Sequence, residues 1–240
     1  MRRVVVQRVE QLSPTVKGFQ LACADGAAFS YAAGQWVNVH IAVEGGTDKR
    51  AYSIASAPLP ADSPHAHEFE VAVTRVAEGN VSLALHALRE GASLELDGPY
   101  GYFTRSGERT LPALFVGTGT GVCPLRAMIQ AELREEGAPG PPLTLLFGCR
   151  SEADLLYRAE FERLAERNPR FRFIPTLSRA LPGWHGREGY VQTQLASLID
   201  PAQPPHVYIC GLSPMIDAVR KTLKTQLGYD RKWIHSERYD

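Results

Sequence analysis

Cysteine is scarce and scattered in this chain of 240 residues: Cys23, Cys123, Cys149 and Cys210 form no C-x-x-C pair and no clustered spacing. Structural zinc and iron–sulfur clusters need grouped thiolates, so no metal is expected. So few cysteines in a chain of this length fit a reducing cytosol, although a disulfide stays open. Excess charge is also absent, because 26 Lys+Arg balance 26 Asp+Glu. Nucleic-acid proteins usually carry a basic excess, so no nucleic-acid partner is expected, a local basic patch aside. Long apolar runs are missing too. The opening MRRVVVQRVEQLS has a basic lead, but Gln7, Arg8 and Glu10 break its apolar stretch, unlike a signal peptide. Nothing approaches the roughly 18 apolar residues of a membrane span. The expected location is cytoplasmic.

What is present is an ordinary globular balance, 44% hydrophobic and 22% charged, at a length that suits one large domain or two smaller ones. The first hundred residues read as strands. RRVVVQRV, WVNVHI and FEVAVTRV are rich in Val and aromatics, and Phe69, Val71 and Val73 alternate with other residues. A helix is expected from near Ser82 to a C-cap at Gly91. Short strands with frequent turn signals predict a small antiparallel barrel. After GERTLP the pattern changes, and short apolar runs alternate with helical periods. ALFVG precedes PLRAMIQAELREEG, LTLLFG precedes EADLLYRAEFERLAER, and HVYICG precedes SPMIDAVRKTLKTQLG. In the last helix Ser213 is expected to cap, Pro214 suits the first turn, and Ile216, Val219, Leu223 and Leu227 form one stripe. The expected fold is therefore two-domain: an antiparallel β-barrel over 1–106, then a Rossmann-like α/β domain with a parallel sheet over 107–240. The boundary is placed near Gly107, and GAPGPP (137–142) is expected to be a surface loop.

Three stretches carry chemistry. In FVGTGTGVCPL a strand is expected to end at Gly117, with glycines at 119 and 121 and a helix from near Pro124. Glycines let a phosphate approach the backbone, and helix N-terminal amides donate to it. Bare structural need also explains such turns, but the position after the first strand of a parallel sheet favours a dinucleotide. CGLSP (210–214) is a second glycine turn at a strand end, where Cys210 either faces the same crevice or is a buried, inert thiol. In RAYSIAS, Arg50, Tyr52 and Ser53 offer a cation for a phosphate, a ring for stacking and a hydroxyl for a heteroatom. An edge strand with a solvated arginine explains the same residues.

Several ordered motifs resemble the ferredoxin–NADP reductase superfamily of flavoenzymes over nearly the whole chain. RAYS (Arg50, Ala51, Tyr52, Ser53) resembles its R-x-Y-S flavin motif. GNVS (Gly79, Asn80, Val81, Ser82) resembles its G-x-x-S turn, and GPYG (98–101) a loop that follows. GTGTGVCPL is similar to its nucleotide pyrophosphate loop. FGCRSEADLLY, CGLSPM and the tail SERYD match later segments.

That resemblance implies FAD as the flavin. Tyr52 would stack on its ring and Ser53 hydrogen-bond near the reactive nitrogen. Arg50 and the Gly79–Ser82 turn would hold its pyrophosphate, and Tyr239 would cover the other face, with Asp240 following it here. Ser53, Cys210, Glu237 and Tyr239 correspond to the residues around hydride transfer. Gly117, Thr118, Gly119, Thr120 and Gly121, with Cys210 and Gly211, would hold the nicotinamide nucleotide. Arg150, Ser178, Arg179, Arg187 and Tyr190 would meet a 2′-phosphate, which implies NADPH in preference to NADH. Glu188 stands where a basic residue is expected. The implied activity is an NAD(P)H-dependent FAD reductase passing electrons to an external ferredoxin or flavodoxin. The alternatives are a flavin, quinone or metal-chelate reductase with a diffusible acceptor, and an electron-transfer subunit of a larger complex.

Overall fold

In the computed structural model, which describes residues 1–43, 45–105, 109–134 and 139–239, Val- and aromatic-rich segments of the first hundred residues form strands. They are β1 (Arg2–Ser13), β2 (Val16–Cys23), β3 (Trp36–Val43), β4 (Gly46–Ser53), β5 (Glu68–Thr74) and β6 (Ser93–Tyr100). Together they make a six-stranded sheet in the order β4-β3-β6-β1-β2-β5, antiparallel at every ladder. β2 and β6 have no counterpart among the segments expected from sequence; in β6 only Leu94 and Leu96 are fully buried. The two outer strands meet where Ile54, just past β4, bridges Val71 of β5. There the Ala55 N–H donates to the Glu70 carbonyl at 2.7 Å. The sheet thus closes into a barrel around Val4, Phe19, Leu21, Val37, Ile54, Phe69 and Val71.

α1 (Asn80–Ala87) packs against β3, β4 and β5. It starts before Ser82, the expected first residue, because the Ser82 hydroxyl turns back to the Gly79 carbonyl at 2.9 Å and sits inside the first turn. It stops short of Gly91 because the Gly91 amide is drawn to the Val6 carbonyl of β1 at 2.8 Å.

The remainder is β7 (Ala113–Thr118), α2 (Val122–Glu132), β8 (Leu143–Cys149), α3 (Arg158–Arg167), β9 (Phe171–Leu177), β10 (Arg187–Glu188), α4 (Val191–Gln194), β11 (His206–Leu212), α5 (Ser213–Thr225) and β12 (Ile234–Tyr239). The strands form a six-stranded parallel sheet ordered β10-β9-β8-β7-β11-β12. β7, β8 and β11 are buried along nearly their whole length, as befits strands covered on both faces. Leu114, Val116, Ile209, Ile216, Val219 and Leu223 share one core, with Leu227 packed against it, so the expected stripe of α5 faces inward.

Helix starts differ from expectation. α2 begins at Val122 because a single 3₁₀ turn, Gly119–Gly121, runs straight into it and Pro124 is tolerated in a first turn. The helix expected from Glu152 is split. Ser151 and Asp154 cap a 3₁₀ turn, and left-handed Tyr157 (φ 56°) delays α3 to Arg158. Ser213 is the first residue of α5 and not its cap, which is Leu212 with no side-chain cap bond.

The chain gathers into two compact units, Met1–Thr104 with Arg126–Ala131, and Arg105–Leu125 with Glu132–Asp240. Gly107 at the expected boundary, Gly137 and Ala138 of the expected surface loop, and Asp240 lie outside the described residues. Among the described residues no helix is long and apolar enough to cross a membrane. Truncating the wholly buried Ile209 to alanine should destabilise the protein by about 2–5 kcal/mol in urea unfolding. The same change at Leu181, 72% exposed, should stay within about 0.5 kcal/mol.

Candidate functional site

Among the described residues β4 is an edge strand whose ladder partner is β3. Its last residues set the first cluster. Val37 lies opposite Tyr52 and Trp36 opposite Ser53. Tyr52 leans on the barrel core and is half-buried, Ser53 is 7% exposed, and Ala51 and Arg50 are exposed. Arg50 donates to the Lys49 carbonyl at 2.9 Å and lies 3.5 Å from Asp48 on the surface, a weak hold on a long cation. α1 packs against this strand. At its N-terminus Gly79 is half-exposed and Asn80 exposed, while Val81 and Ser82 are buried. A Cβ at Gly79 would come within 2.8 Å of Ser82 Oγ, so the turn requires glycine. The Ser82 hydroxyl accepts from the Val76 amide at 3.1 Å and stiffens the loop, which leaves the backbone amides as the donors for an anion. A guanidinium, a helix N-terminus and an aromatic ring in one unit fit the pyrophosphate and ring system of FAD.

Beside Ser53 the GPYG loop joins residues that carry no expected role from sequence: Gln35, Trp36, Asn38 and Tyr102. A cavity of about 540 Å³ is lined by Gln35, Trp36, Asn38, Pro99, Tyr100, Gly101 and Tyr102. Trp36 and Tyr100 have ring centroids 5.0 Å apart, and Tyr102 is fully exposed. The signal was the run of aromatics in GQW and GPYGYF.

In the second unit the chain runs outward from β7 through β8, β9 and β10, then returns to lay β11 on the other side of β7. Ligands in open parallel sheets bind at this reversal, outside the strand C-termini. Both glycine turns lie there and touch. A Cβ on Gly121 would meet the Cys210 carbonyl oxygen at 2.3 Å, and one on Gly211 the Thr118 hydroxyl at 2.7 Å. Gly119 has φ +53° with nothing near its Cβ position, so it faces open space in the left-handed region. Gly117 packs on Leu125, and Thr120 completes the 3₁₀ turn. The loop of β8 lies alongside, with the Gly119 amide near the Cys149 thiol. Burial, aided by Asp154, pushes that thiol well above its ordinary value.

Cys210 is wholly buried, so the inert-thiol alternative describes its exposure. Its neighbours are nonetheless the expected ones. Glu237 sits opposite it on β12, and Tyr239 hydrogen-bonds to it. Burial first, then the Glu237 charge, keeps the thiol protonated. Cys210, Glu237 and Tyr239 therefore cluster in the second unit, while Ser53 belongs to the first.

CRS and LSR run side by side: the Ser178 amide donates to the Cys149 carbonyl at 3.0 Å and the Arg179 amide to the Arg150 carbonyl at 2.9 Å. Arg150 and Arg179 are both exposed, with Ser178 half-buried. Arg187 differs, since its guanidinium donates to Gln194 Oε1 at 3.0 Å and Ser197 Oγ at 2.6 Å. Tyr190 is 66% exposed at the N-cap of α4.

Residues 3–104 match the family model of the oxidoreductase FAD-binding domain, and residues 115–221 that of the oxidoreductase NAD-binding domain. Ferredoxin–NADP reductase B of Sorangium cellulosum (strain So ce56) is 49% identical over 97% of this chain and 95% of its own length. The reductase component DmpP of phenol 2-monooxygenase from Pseudomonas sp. (strain CF600) is 34% identical over 99% of this chain, which spans only 65% of that relative. Among solved structures, the FAD/NAD-binding domain of nitric oxide dioxygenase from Vibrio cholerae superposes with a TM-score of 0.87 at 28% identity, covering 99% of this chain and 98% of that one. The ferredoxin NADP+ reductase from Neisseria gonorrhoeae with bound FAD and NADP shares the fold, with a TM-score of 0.81 at 20% identity over 98% and 97% of the chains.

Burial pushes the Tyr52 hydroxyl up to about 12 from 10.0, with the Arg50 charge opposing. The folded state thus holds this proton more tightly than the unfolded chain, and the associated stability is lost as pH rises from 10 through about 12. Urea midpoints of the Tyr52→Phe variant should fall less across that window than those of the parent protein.

Proposed function

The chain belongs to the ferredoxin–NADP reductase type of FAD- and NAD(P)-dependent oxidoreductases, and on that premise we propose that it oxidises NADPH and delivers the electrons to a separate ferredoxin or flavodoxin in the cytoplasm. FAD, when bound, would supply the chemistry of hydride acceptance and single-electron release. The side chains hold and orient. In this proposal Arg50 and the amides of Asn80–Ser82, behind the Gly79 turn, bind the flavin pyrophosphate, Ala51 and Tyr52 lie along the ring, and Ser53 offers its hydroxyl to the ring edge. Gly117–Gly121 and Gly211 take the nucleotide pyrophosphate. Cys210, Glu237 and Tyr239 order the nicotinamide end.

The preference for NADPH is carried by one observation: CRS and LSR lie backbone to backbone, presenting Arg150 and Arg179 at the surface with Ser178 beside them. Among the described residues no carboxylate pairs with either guanidinium, and two cations plus a hydroxyl suit a doubly charged phosphate. Arg187 and Tyr190 play a smaller part, because Arg187 is held by the α4 turn.

Anaerobic stopped-flow reduction with NADPH and NADH side by side tests this proposal. NADPH should reduce the flavin faster at equal concentration, and Arg179→Ala should raise its apparent KM roughly 10–100-fold while leaving NADH unaffected. Equal NADPH and NADH kinetics in the parent protein sink the phosphate assignment. Ser53→Ala should retain FAD yet slow reduction roughly 10–100-fold. The aromatic cavity beside Ser53 favours a second reading, a small planar acceptor such as a quinone. Saturable, salt-sensitive ferredoxin reduction supports the carrier, and its absence supports the small acceptor.

A further inference from the structure

Ser53 is the last residue of an edge strand, and the chain after it, Ile54 to Ala57, has no strand ladder to hold it beyond the single bridge of Ile54 to Val71. Ser53 is held on one side by its ladder pairing with Trp36, and on the other by whatever grips that segment. The Ile54 amide donates to the Gln35 carbonyl at 2.9 Å and the Ala55 amide to the Glu70 carbonyl at 2.7 Å. Ser56 Oγ accepts from the Glu70 amide at 3.0 Å. Three side chains complete the grip: the Tyr31 hydroxyl donates to the Ser56 carbonyl at 3.2 Å, and the other two come from residues of α2 that belong to the first compact unit. Arg126 Nη1 donates to the Ala55 carbonyl at 2.9 Å and to Glu70 Oε2 at 2.8 Å, and Gln130 Oε1 accepts from the Ala57 amide at 2.8 Å. Arg126 and Gln130 are four apart, on one helix face.

The Arg126 side chain is 9% exposed and that of Glu70 22%. An ion pair this buried is a poor device for stability, since desolvation cancels most of its attraction and an apolar pair of similar size serves as well. What an apolar pair lacks is the ability to hold a carbonyl and a carboxylate at once in a fixed fork. The guanidinium does that two residues beyond Ser53.

We propose that Arg126 is a positioning residue for hydride transfer, acting through the Ala55 carbonyl to fix Ser53 against the flavin. This rests on the assignment of Ser53 to the flavin made above. Arg126 touches neither flavin nor nucleotide in this scheme. Removing it should loosen Ser53 and leave the pyrophosphate contacts of Arg50 and α1 in place, so rate should fall without loss of cofactor.

The test uses Arg126→Lys and the double variant Arg126→Met/Glu70→Gln, which leaves no buried charge unpaired. Three quantities are read: FAD affinity by titration of the apoprotein, amide exchange of residues 54–57 in the apoprotein, and the limiting rate of flavin reduction by NADPH. The double variant should bind FAD within about threefold of the parent, exchange faster at 54–57, and be reduced roughly 10–100-fold more slowly at saturating NADPH, with KM unchanged. Arg126→Lys, which keeps a donor, should recover part of the rate. Parental exchange and parental reduction in the double variant overturn the proposal. So does a loss of rate that merely tracks loss of FAD and of Tm, with no rescue by lysine. A parent protein that takes up no FAD, or whose flavin NADPH leaves oxidised, overturns the functional reading itself.

Discussion

The barrel closes through one short contact, and the geometry of the first unit depends on it. The Ala55 amide meets the Glu70 carbonyl and Ile54 bridges Val71, so the two outer strands of the sheet share a seam. An open sheet would leave β4 a free edge whose terminal residues wander. Closure converts that edge into a fixed ledge, with Tyr52 leaning on the core and Ser53 buried at its end. The ledge still leaves Arg50 and Ala51 exposed. A rigid support carrying exposed polar groups is what a large planar cofactor needs from its protein.

The second unit solves the corresponding problem with glycine. Parallel strands bring β7 and β11 together, and the loops leaving them collide unless side chains are absent. Gly121 against Cys210 and Gly211 against Thr118 remove the obstruction. Gly119 serves a different end, since it is free of neighbours and turns the backbone through the left-handed region. Glycines that look alike in GTGTG thus separate into two for packing, Gly117 and Gly121, and one for the open turn, Gly119.

Much of this was legible in the chain. The alternation of Phe69, Val71 and Val73, and the strand–helix alternation after ALFVG, specify an antiparallel and then a parallel sheet, and both are present. The stripe of α5 faces its core as its spacing implies. Helix starts were less legible, for local reasons. Ser213 has the right chemistry for a cap, but the chain enters α5 one residue earlier, and EADLLY has helical composition that left-handed Tyr157 interrupts. In the candidate site, the pairing of Arg150 with Ser178 and Arg179 follows from β8 and β9 being neighbours. The commitment of Arg187 to Gln194 and Ser197 lies in side-chain geometry that motif order does not describe.

The sequence by itself determined the two sheet types and the glycine turns, because strand and helix periods and turns are local properties of a few adjacent residues, and its resemblance to a family implied the flavin and nucleotide motifs and the cofactor class. Tertiary structure alone decided which strands are edges, that Cys210 is wholly buried, and that Trp36 and Tyr100 share a cavity. It alone brought Arg126 to the carbonyl of Ala55, which lies 71 positions away in the chain. Such contacts join residues whose separation along the chain carries no periodic signal. They exist only once each sheet has chosen its strand order.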